Sequence, residues 1–587
     1  MILESLYKYY ERLRDDPNAN VPLMGFGDQK IHFGLVINAA GNLLKVSDLR
    51  TPMKTKLAPA SFTAPQLGKK RSSGHEPNFL WDNGTYVLGA YIKGSEDRAR
   101  KNFEAFKKLH HDVATTIQDD GLAAVLNFLD SWDPLDASTL EYWEDIKAGS
   151  NLAFQLEGHT GFVYDRPAVR QAWTAYCASR ASKVTGVCLV TGTRGPIARL
   201  HPPIKGIPKT QAGGAPLVSF NADSFKKYGK EDNFSAPVRE DVAFAYTAAI
   251  NHLLRPESRQ KAQIGNTTVV FWTERASLAE SLLASALKPY DGSDLQNVGL
   301  FLSGVTNGKV PVEVADENLR LFVLALSSSK SRISVQFWYD STVSDVYRKI
   351  GQHFKDLAIA RSERDPEFPA LGQLMRATAV REEAEKISSV LSTSVMQAML
   401  SGTTYPATLL STVLERIRAG YRISHLRAAM IKACLARQYR VYRYGEEVTV
   451  SLDQRSTNVG YRLGRLFAAC EKVQREAIPG ISHTIRDTYW AAASTSPRRA
   501  FPYILERTQH HIRKAEYGVW ADKMIAEIVQ DITEFPVRLS YDEQGMFVLG
   551  YYHQRQAFYT KRDKDENEDE NPTEDGVSYA GFSGHQC

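Results

Sequence analysis

The stretch that organises the rest of the chain runs from residue 189 to residue 254 and reads LVTGTRGPIARLHPPIKGIPKTQAGGAPLVSFNADSFKKYGKEDNFSAPVREDVAFAYTAAINHLL. Glycine, proline and lysine interrupt its first half too often for a core element, whereas Val238 to Leu254 has the apolar spacing of an amphipathic helix. Short apolar groups recur between Gly192 and Gly214, which predicts a loop held down on the protein surface. Leu217 to Phe220, between loop and helix, predicts a short strand.

Nearly all charges of this loop are cationic, and no acid occurs before Asp223. Lysine and arginine along a glycine-rich backbone suit phosphate contact, because bare amides and point cations both approach an anionic strand closely. The cationic positions, with one histidine among them, are Arg194, Arg199, His201, Lys205, Lys209, Lys226 and Lys227. The spacing leaves two interpretations open, a nucleic-acid contact and an ordered surface loop.

A second basic loop is predicted between Thr51 and Asn83. Three consecutive cations, Lys69 to Arg71, precede Ser72, and an amide side chain follows at Asn78. In protein–DNA interfaces Lys and Arg hold the phosphates while polar side chains read base edges, so this combination suits a groove contact. A solvated turn explains the same residues equally simply.

Apolar periodicity predicts an α+β protein, with a β-containing amino-terminal and central region followed by a carboxy-terminal helical bundle. At 587 residues and 43% apolar composition, the chain is long enough for three or four domains of about 150 residues. We predict a mixed α+β region at 1–345, a helical connection at 346–459, a helical bundle at 460–559 and an acidic tail at 560–587. The tail has too little apolar surface to fold by itself.

Three patterns predict local structure in the first half of the chain. Ile31 to Val46 predicts a β-hairpin, Tyr86 to Tyr91 a strand and Arg98 to Asp119 a charged helix. On that helix His110 and His111 diverge by about 100°, so they cannot converge on one metal ion without other ligands. We therefore expect both histidines on the helix surface.

After Val343 the pattern is almost continuously helical and rich in arginine. The cations between Arg416 and Arg443 suit either contact with phosphates or ordinary solvated helices. The final helical region begins near Gly460 and predicts four or five helices. Its segment Ser496 to Ala515 clusters cations that suit the backbone of a single nucleic-acid strand.

The net charge of +5 is unevenly distributed. The segment Asp563 to Asp575 has eight acids and one lysine, a net charge of −7 that leaves +12 for the rest of the chain. Such an excess favours a polyanionic partner. Spread over more than 550 residues, it is also compatible with ordinary solvated surfaces.

Motifs for other classes of protein are absent from the sequence. The five cysteines are far apart and form no C-x-x-C pair, so neither a zinc site nor a disulfide framework is indicated. No apolar window approaches about 18 residues and the amino terminus is a charged helix, so we expect a soluble, cytoplasmic protein without a membrane partner. The P-loop, H-E-x-x-H and G-x-S-x-G patterns are missing, which predicts no enzyme, no cofactor and no metal.

Several sequence segments resemble those of a known protein family. In the opening stretch they are VTG, PIARLHPPIKG, GAPLVSFN, SFKKYG and AFAYTAAINHLL, and two more are RSSGHEPNFLWDNGTYVLG at 71–89 and QGMFVLGYYHQRQAFY at 544–559. Together they resemble the Csd family, the large subunit of the type I-C CRISPR interference complex (Cascade). The resemblance runs from the first helix to Tyr559, and so many ordered matches make it specific. No word in it is a catalytic motif.

The resemblance implies a non-catalytic subunit of an RNA-guided surveillance complex, in which guide RNA pairing reads the target. It implies that the chain recognises the protospacer-adjacent motif (PAM) in double-stranded DNA, aids duplex opening, stabilises the R-loop and recruits a helicase-nuclease that cuts in trans. The implied partners are CRISPR RNA, target double-stranded DNA, the displaced single strand, the backbone and crRNA-processing subunits, and small-subunit copies. PAM recognition would fall on the amino-terminal loop, and residues 460–559 would resemble the Cascade small subunit.

The candidate DNA-binding residues are Lys69, Lys70, Arg71, Ser72, Asn78, Arg199, Lys205, Lys209, Lys226, Arg498, Arg499 and Arg513. Two other functions remain open from the residues alone: a metal-dependent nuclease with dispersed ligands, and a protein–protein adaptor without direct DNA contact. Salt-dependent duplex binding separates the DNA-binding subunit from the adaptor, and Mg²⁺-dependent cleavage supports the nuclease.

Overall fold

Helix α1 (Ile2–Asp15) buries the apolar stripe that its sequence predicts. Leu6, Tyr10 and Leu13 are buried, and the Tyr10 ring meets Phe244 edge to face with ring centroids 6.1 Å apart. The computed structural model describes residues 1–16, 18–19, 21–53, 56–66, 75–91, 95–115, 117–211, 213–220, 222–225, 229–287, 303–304, 318–329, 331–420 and 422–569. The chain divides into two units, residues 1–258 with 328–334 and residues 259–327 with 335–587.

The first unit is a mixed α/β assembly. After α1 its elements are β1 (Phe26–Ile31), β2 (Phe33–Ile37), β3 (Leu43–Asp48), β4 (Thr51–Met53), β5 (Lys56–Ala58), β6 (Ala60–Pro65), β7 (Trp81–Asn83), α2 (Gly84–Val87), α3 (Glu96–Ala114), α4 (Asp120–Ser131), α5 (Trp143–Lys147), β8 (Asn151–Leu156), α6 (Pro167–Ser179), β9 (Thr185–Val187), β10 (Arg194–Pro196) and α7 (Glu240–Leu253). Strands β3, β2, β8 and β7 form one sheet in that order, with β2 and β8 parallel, and β1 pairs with β6. Side chains of β2 and β8 fill the core of this unit.

The hairpin predicted over Ile31 to Val46 is confirmed as β2 and β3, which pair antiparallel. The strand predicted over Tyr86 to Tyr91 is wrong, because β7 ends at Asn83 and a helical turn follows. The Asn83 side chain accepts a hydrogen bond from the Thr85 N–H at 3.0 Å and caps α2. Capping by asparagine therefore outweighs the β-propensity of the residues that follow it.

The prediction for the histidine pair is right for His111 and wrong for His110. His111 is exposed and its Nε2 lies 3.2 Å from Asp130 Oδ1. His110 is fully buried, with Nε2 2.8 Å from the Leu80 N–H and Nδ1 2.7 Å from the Phe106 carbonyl oxygen. With both ring nitrogens satisfied, a neutral imidazole can occupy the core, and burial lowers the pKa of His110 to about 4.

The helix predicted over Val238 to Leu254 is confirmed as α7. Its predicted apolar face, Val242, Ala245, Tyr246, Ala249, Ile250 and Leu253, is buried throughout. The short strand predicted over Leu217 to Phe220 is wrong, because this segment adopts bends. The Phe220 N–H donates to the Asn233 side-chain oxygen at 3.2 Å instead of to a neighbouring strand.

The second unit opens with a four-stranded sheet. Its strands are β11 (Lys261–Ile264), β12 (Thr267–Thr273), β13 (Arg320–Ser329) and β14 (Arg332–Thr342), ordered in the sheet as in the chain, and helix α8 (Ala279–Leu287) follows β12. Every residue of β12 is buried, as its continuous apolar run predicts for a strand covered on both faces. β13 and β14 follow each other directly in the chain and are neighbours in this sheet.

Helices account for most of the remaining described residues of this unit. They are α9 (Val343–Leu357), α10 (Leu371–Thr378), α11 (Ser389–Ser401), α12 (Ala407–Arg418), α13 (His425–Tyr442), α14 (Val459–Ala477), α15 (Ile485–Thr495), α16 (Pro497–Ile512), α17 (Gly518–Val529) and α18 (Tyr541–Asp569). One continuous apolar core extends from β11 to α18. The predicted α+β class is confirmed, with small sheets in the amino-terminal and central region and helices dominating the carboxy-terminal part.

The last helix, α18, extends to Asp569 and so enters the segment 560–587 that we predicted as an acidic tail; residues 570–587 lie outside the described part of the chain. Among the described residues, no helix combines the length and apolar character that a membrane crossing requires.

Candidate nucleic-acid interface

The loop from Gly192 to Gly214 is held on the surface of the first unit by a few buried apolar residues. Ile197, Ile204 and Ile207 are buried, and backbone bridges join Ile197 to Arg239 and Ile204 to Ala215. A Cβ at Gly214 would lie 2.4 Å from the Ile204 carbonyl oxygen, and its φ of +80° favours glycine. The prediction of a loop held down by its apolar groups is confirmed.

The candidate cations of this loop differ in how strongly they are already engaged. Arg199 is 63% exposed at its side chain and pairs with Asp232 at 3.0 Å. Lys205 and Lys209 are exposed, and neither forms an ion pair within the described part of the chain. Lys226, which follows this loop in the sequence, lies outside the described residues. Lys205 and Lys209 therefore present their full charge to solvent.

His201 does not contribute to this basic surface. Its ring is buried, and Nδ1 lies 2.6 Å from the Tyr246 hydroxyl oxygen. Burial lowers the pKa of His201 to about 4, so the ring is neutral near pH 7. Its role is to attach the loop to helix α7.

Exposed apolar residues accompany the cations of this region, and sequence reasoning missed them. They are Val184, Val187, Leu189 and Leu200. Apolar side chains in short segments are normally expected to be buried, and nothing in their spacing distinguishes these four. Val187 is paired with Arg194 across strands β9 and β10, so at that point an exposed apolar side chain adjoins a cation.

The amino-terminal basic loop is described only at its two ends. Lys69, Lys70, Arg71 and Ser72 lie outside the described residues. Before them, the Gln66 N–H donates to the Gly25 carbonyl oxygen at 2.7 Å, and the Trp81 indole N–H donates to the Pro65 carbonyl oxygen at the same distance.

After the loop, Asn78 is half-buried and its N–H donates to the Asp82 carboxylate at 2.9 Å. Asp82 is itself buried and also accepts a hydrogen bond from the Asn83 N–H at 2.8 Å. The backbone at Asn78 is thus fixed next to strand β7. The residues on both sides of 67–74 are attached to the core of the first unit.

In the second unit, helix α16 has one buried and one basic face. The buried face packs Ala500, Phe501, Ile504 and Thr508 into the bundle. Arg498, Arg499 and Arg513 are exposed, and none of the three forms an ion pair among the described residues. Tyr503 is 61% exposed between them, and Glu506 is the single acid of the helix sequence. The three candidate residues of this helix therefore lie on one accessible, positively charged side.

Burial and the cations near the end of α16 affect the pKa of a histidine there. Burial lowers the pKa of His511, and the positive charges of Lys514, His510 and Arg507 lower it further. The Arg507 guanidinium also lies 5.7 Å from the centroid of the Tyr489 ring. A protonated His511 is disfavoured because the surrounding potential is already positive.

The sequence allows a phosphate-binding role for the cations of the arginine-rich helix α13. The buried cations of this helix do not fit that role. Arg427, Lys432 and Arg437 are buried. Arg437 Nε donates to Asp356 Oδ2 at 2.7 Å, and Lys432 Nζ donates to the Asp356 carbonyl oxygen at 3.1 Å. Arg427 Nη2 donates to Glu382 at 2.7 Å. These three cations join helices inside the second unit.

Within the described ranges, no group of three or more His, Cys, Asp or Glu residues is arranged to hold a metal ion. The functional candidates are the amino-terminal loop, which is cationic in sequence, the 192–214 loop of the first unit, and the basic face of α16 in the second unit.

Comparison with known proteins identifies the family. No curated protein matches the chain. The family model described as CRISPR-associated protein (Cas_Csd1) matches residues 6–559, nearly the whole chain. Membership of that family implies the large subunit of a type I-C CRISPR–Cas system, an interference subunit that is generally non-catalytic. Because the matched range covers most of both units, the chain belongs to the Csd1 family of CRISPR-associated proteins.

Proposed function

We propose that this large subunit binds DNA directly: it recognises the PAM in double-stranded DNA, aids duplex opening, stabilises the R-loop and recruits a helicase-nuclease that cuts in trans. Family membership supports the setting, a Cascade complex that carries CRISPR RNA. The observation that carries the DNA-binding part is the basic face of α16, whose arginines have no ion-pair partner among the described residues.

A single strand is the ligand that this face fits best. Its cations lie along one side of a helix, where they can follow a phosphate backbone. The exposed Tyr503 ring between them offers a surface on which a base can stack. Both interactions are tolerant of sequence, which suits a strand displaced from any target.

The experiment replaces Arg498, Arg499 and Arg513 with Ala in the assembled complex and measures single-strand binding against salt concentration. Each lost phosphate contact reduces the slope of log K against log salt by about 0.7, so we expect a decrease of about 2. The matched control replaces Arg364, Lys386 and Arg455, exposed cations outside α14–α18, and should leave the slope unchanged. Equal slopes for both variants would refute the assignment of α16.

We assign PAM recognition to the amino-terminal loop because cations and small polar residues are adjacent in its sequence. The backbone on either side of the loop is fixed by hydrogen bonds. Replacing Lys69, Lys70, Arg71, Ser72 and Asn78 with Ala should weaken binding of matched duplex targets. Discrimination between PAM variants should be lost at any base that one of them reads, at about 1–3 kcal/mol per base. Full retention of affinity and discrimination in the assembled complex would contradict this prediction.

For the 192–214 loop we propose phosphate contacts from Arg199, Lys205 and Lys209, and we propose the same role for Lys226, which follows this loop in the sequence. Two alternative functions have distinct signatures. A nuclease would cleave DNA in the presence of added Mg²⁺, and an adaptor would leave duplex binding by the complex insensitive to all of these substitutions.

A further inference from the structure

The carboxy-terminal end of α13 leaves two large aromatic side chains in solvent. Tyr442, the last residue of the helix, is 64% exposed, and Tyr444 is 63% exposed. Arg443 between them is exposed and forms no ion pair among the described residues. The chain returns to the core at Val448, which is buried. Two accessible rings and an arginine are therefore adjacent in one short loop.

Arg443 has a backbone conformation that favours glycine. Its φ of +56° is left-handed, and its N–H donates to the Tyr439 carbonyl oxygen at 2.8 Å where the helix ends. Glycine is the usual residue at such a position, because a Cβ there costs free energy. Strained residues of this kind concentrate at functional sites. The Arg443 side chain therefore indicates a function that glycine could not supply.

A second group of polar atoms lies beside this loop. The Tyr442 hydroxyl oxygen lies 3.4 Å from Thr404 Oγ1, and Thr404 comes two residues before Pro406, the N-cap of α12. Proline has no side-chain acceptor, so no side chain caps the first N–H groups of α12. Uncapped N–H groups at the amino terminus of a helix can bind a phosphate. Tyr442 is thus close to a helix end that suits an anion.

These features together match single-stranded nucleic acid better than a protein segment. Each nucleotide offers a flat base that stacks on an aromatic ring, and a phosphate that binds a cation or a helix amino terminus. Glu446 and Glu447 follow the loop in the sequence, so net charge does not favour a polyanion here. Recognition therefore depends on the two rings and on Arg443, and not on a general basic surface.

We propose that the end of α13 is a further contact for single-stranded nucleic acid, in addition to the basic face of α16. Bases stack on Tyr442 and Tyr444, and a phosphate binds the Arg443 guanidinium and the first N–H groups of α12. Stacking and phosphate contact are common to DNA and RNA, so a displaced DNA strand and a guide RNA both satisfy this chemistry. Neither interaction reads the base sequence.

The test measures binding of labelled oligothymidine and oligouridine to the full chain. Tyr442→Leu with Tyr444→Leu keeps apolar volume but removes both ring faces, and each lost stack should weaken binding at least about fivefold. Tyr442→Phe with Tyr444→Phe keeps the rings and should bind like the native chain. The control is Tyr541→Leu, at another exposed tyrosine of the second unit. The oligonucleotide that loses more affinity identifies which kind of strand the loop binds.

Arg443→Gly separates the effect of the charge from that of the backbone. This variant should raise the urea midpoint of the full chain, because glycine removes the left-handed strain, and should still weaken binding. Loss of one phosphate contact reduces the slope of log K against log salt by about 0.7. The tyrosine variants should leave this slope unchanged, because they remove no charge.

Equal binding by the Leu variant and the native chain would overturn the proposal, as would a loss no larger than that of Tyr541→Leu. An unchanged salt slope for Arg443→Gly would overturn the phosphate contact. A Leu variant that binds oligonucleotides normally but no longer assembles with partner subunits would show a protein contact instead. If only the variant without the three α16 arginines loses affinity, the contact at α13 is refuted and the function of α16 stands. If neither loses affinity, both assignments are refuted.

Discussion

At the scale of single residues, arginines of similar sequence context have opposite environments. Arg437 is completely buried and Arg440, three residues on, is 36% exposed at its side chain, yet both bind Asp356. Burial alone would favour a neutral Asp356, but the hydrogen bond from Arg440 and the charge of Arg437 hold its pKa below the usual value. Arg437 also donates to the carbonyl oxygens of Ala398 and Thr403, at 2.8 and 3.1 Å.

Replacing Arg437 with Met should destabilise the second unit by about 3–5 kcal/mol, because Asp356 and two carbonyl groups lose a buried partner. Arg440→Met is the matched control, since it removes a cation from the same carboxylate at a half-exposed position, and it should cost about 1 kcal/mol. The measurement is the shift in the urea midpoint of the full chain. Similar shifts for the two variants would contradict the prediction.

At the scale of elements, the packing of α14 against α18 depends on glycines that let the backbones touch. A Cβ at Gly464 would lie 1.9 Å from the Phe547 carbonyl oxygen, and one at Gly550 would lie 2.0 Å from that of Tyr461. Gly545 differs, because a Cβ there would meet only side chains, 3.2 Å from Ile431 and Leu435. Main-chain atoms in a packed helix pair cannot move aside as a side chain can.

Gly464→Ala should therefore force α14 and α18 apart and destabilise the bundle by about 3 kcal/mol or more, although alanine favours helix. Gly545→Ala should be within about 1 kcal/mol of the native chain, because its helix propensity offsets a mild side-chain clash. Thermal unfolding followed by circular dichroism at 222 nm compares the two. Equal melting temperatures would show that the helices separate without cost.

At the scale of the whole molecule, the helices after residue 459 share their core with the rest of the second unit. The Tyr552 hydroxyl donates to the Ala360 carbonyl oxygen at 2.8 Å, and Gln438 of α13 donates to Asp542 at 3.0 Å. Other contacts stay within the bundle, such as the Tyr461 hydroxyl with His553 at 2.9 Å. A bundle expressed without the rest of the unit would keep contacts such as that of Tyr461 with His553. It would lose the contacts with Ala360 and Gln438.

We propose that residues 459–587 form a module equivalent to a small subunit, and we expect them to give a soluble, helical protein when expressed alone. A longer fragment, residues 343–587, retains the α13 contacts and should melt at a higher temperature, because it keeps apolar surface of α18 covered. The functional measurement is complementation of a complex that lacks small subunits. An unfolded 459–587 fragment, or a folded one without complementation, would contradict the module.

The sequence alone determined the α+β class, the strongly periodic helices such as α1, α7 and α14, and the family to which the chain belongs. These features depend on spacing between near neighbours, which is written directly in the chain. The sequence also predicted that the isoleucines of the 192–214 loop attach it to the protein. Apolar side chains in a surface loop are stabilised when they are buried against the core.

Only the tertiary structure decided which charged and polar groups are available for binding. Arg437 is internal because Asp356, 81 residues away in sequence, lies beneath it, and His110 is internal because Leu80 supplies a donor. The strand predicted after Tyr86 failed because of a single capping side chain at Asn83. Partners so distant in sequence leave no periodic signal, so burial, ion pairing and the accessible cations of α16 follow from how the elements pack.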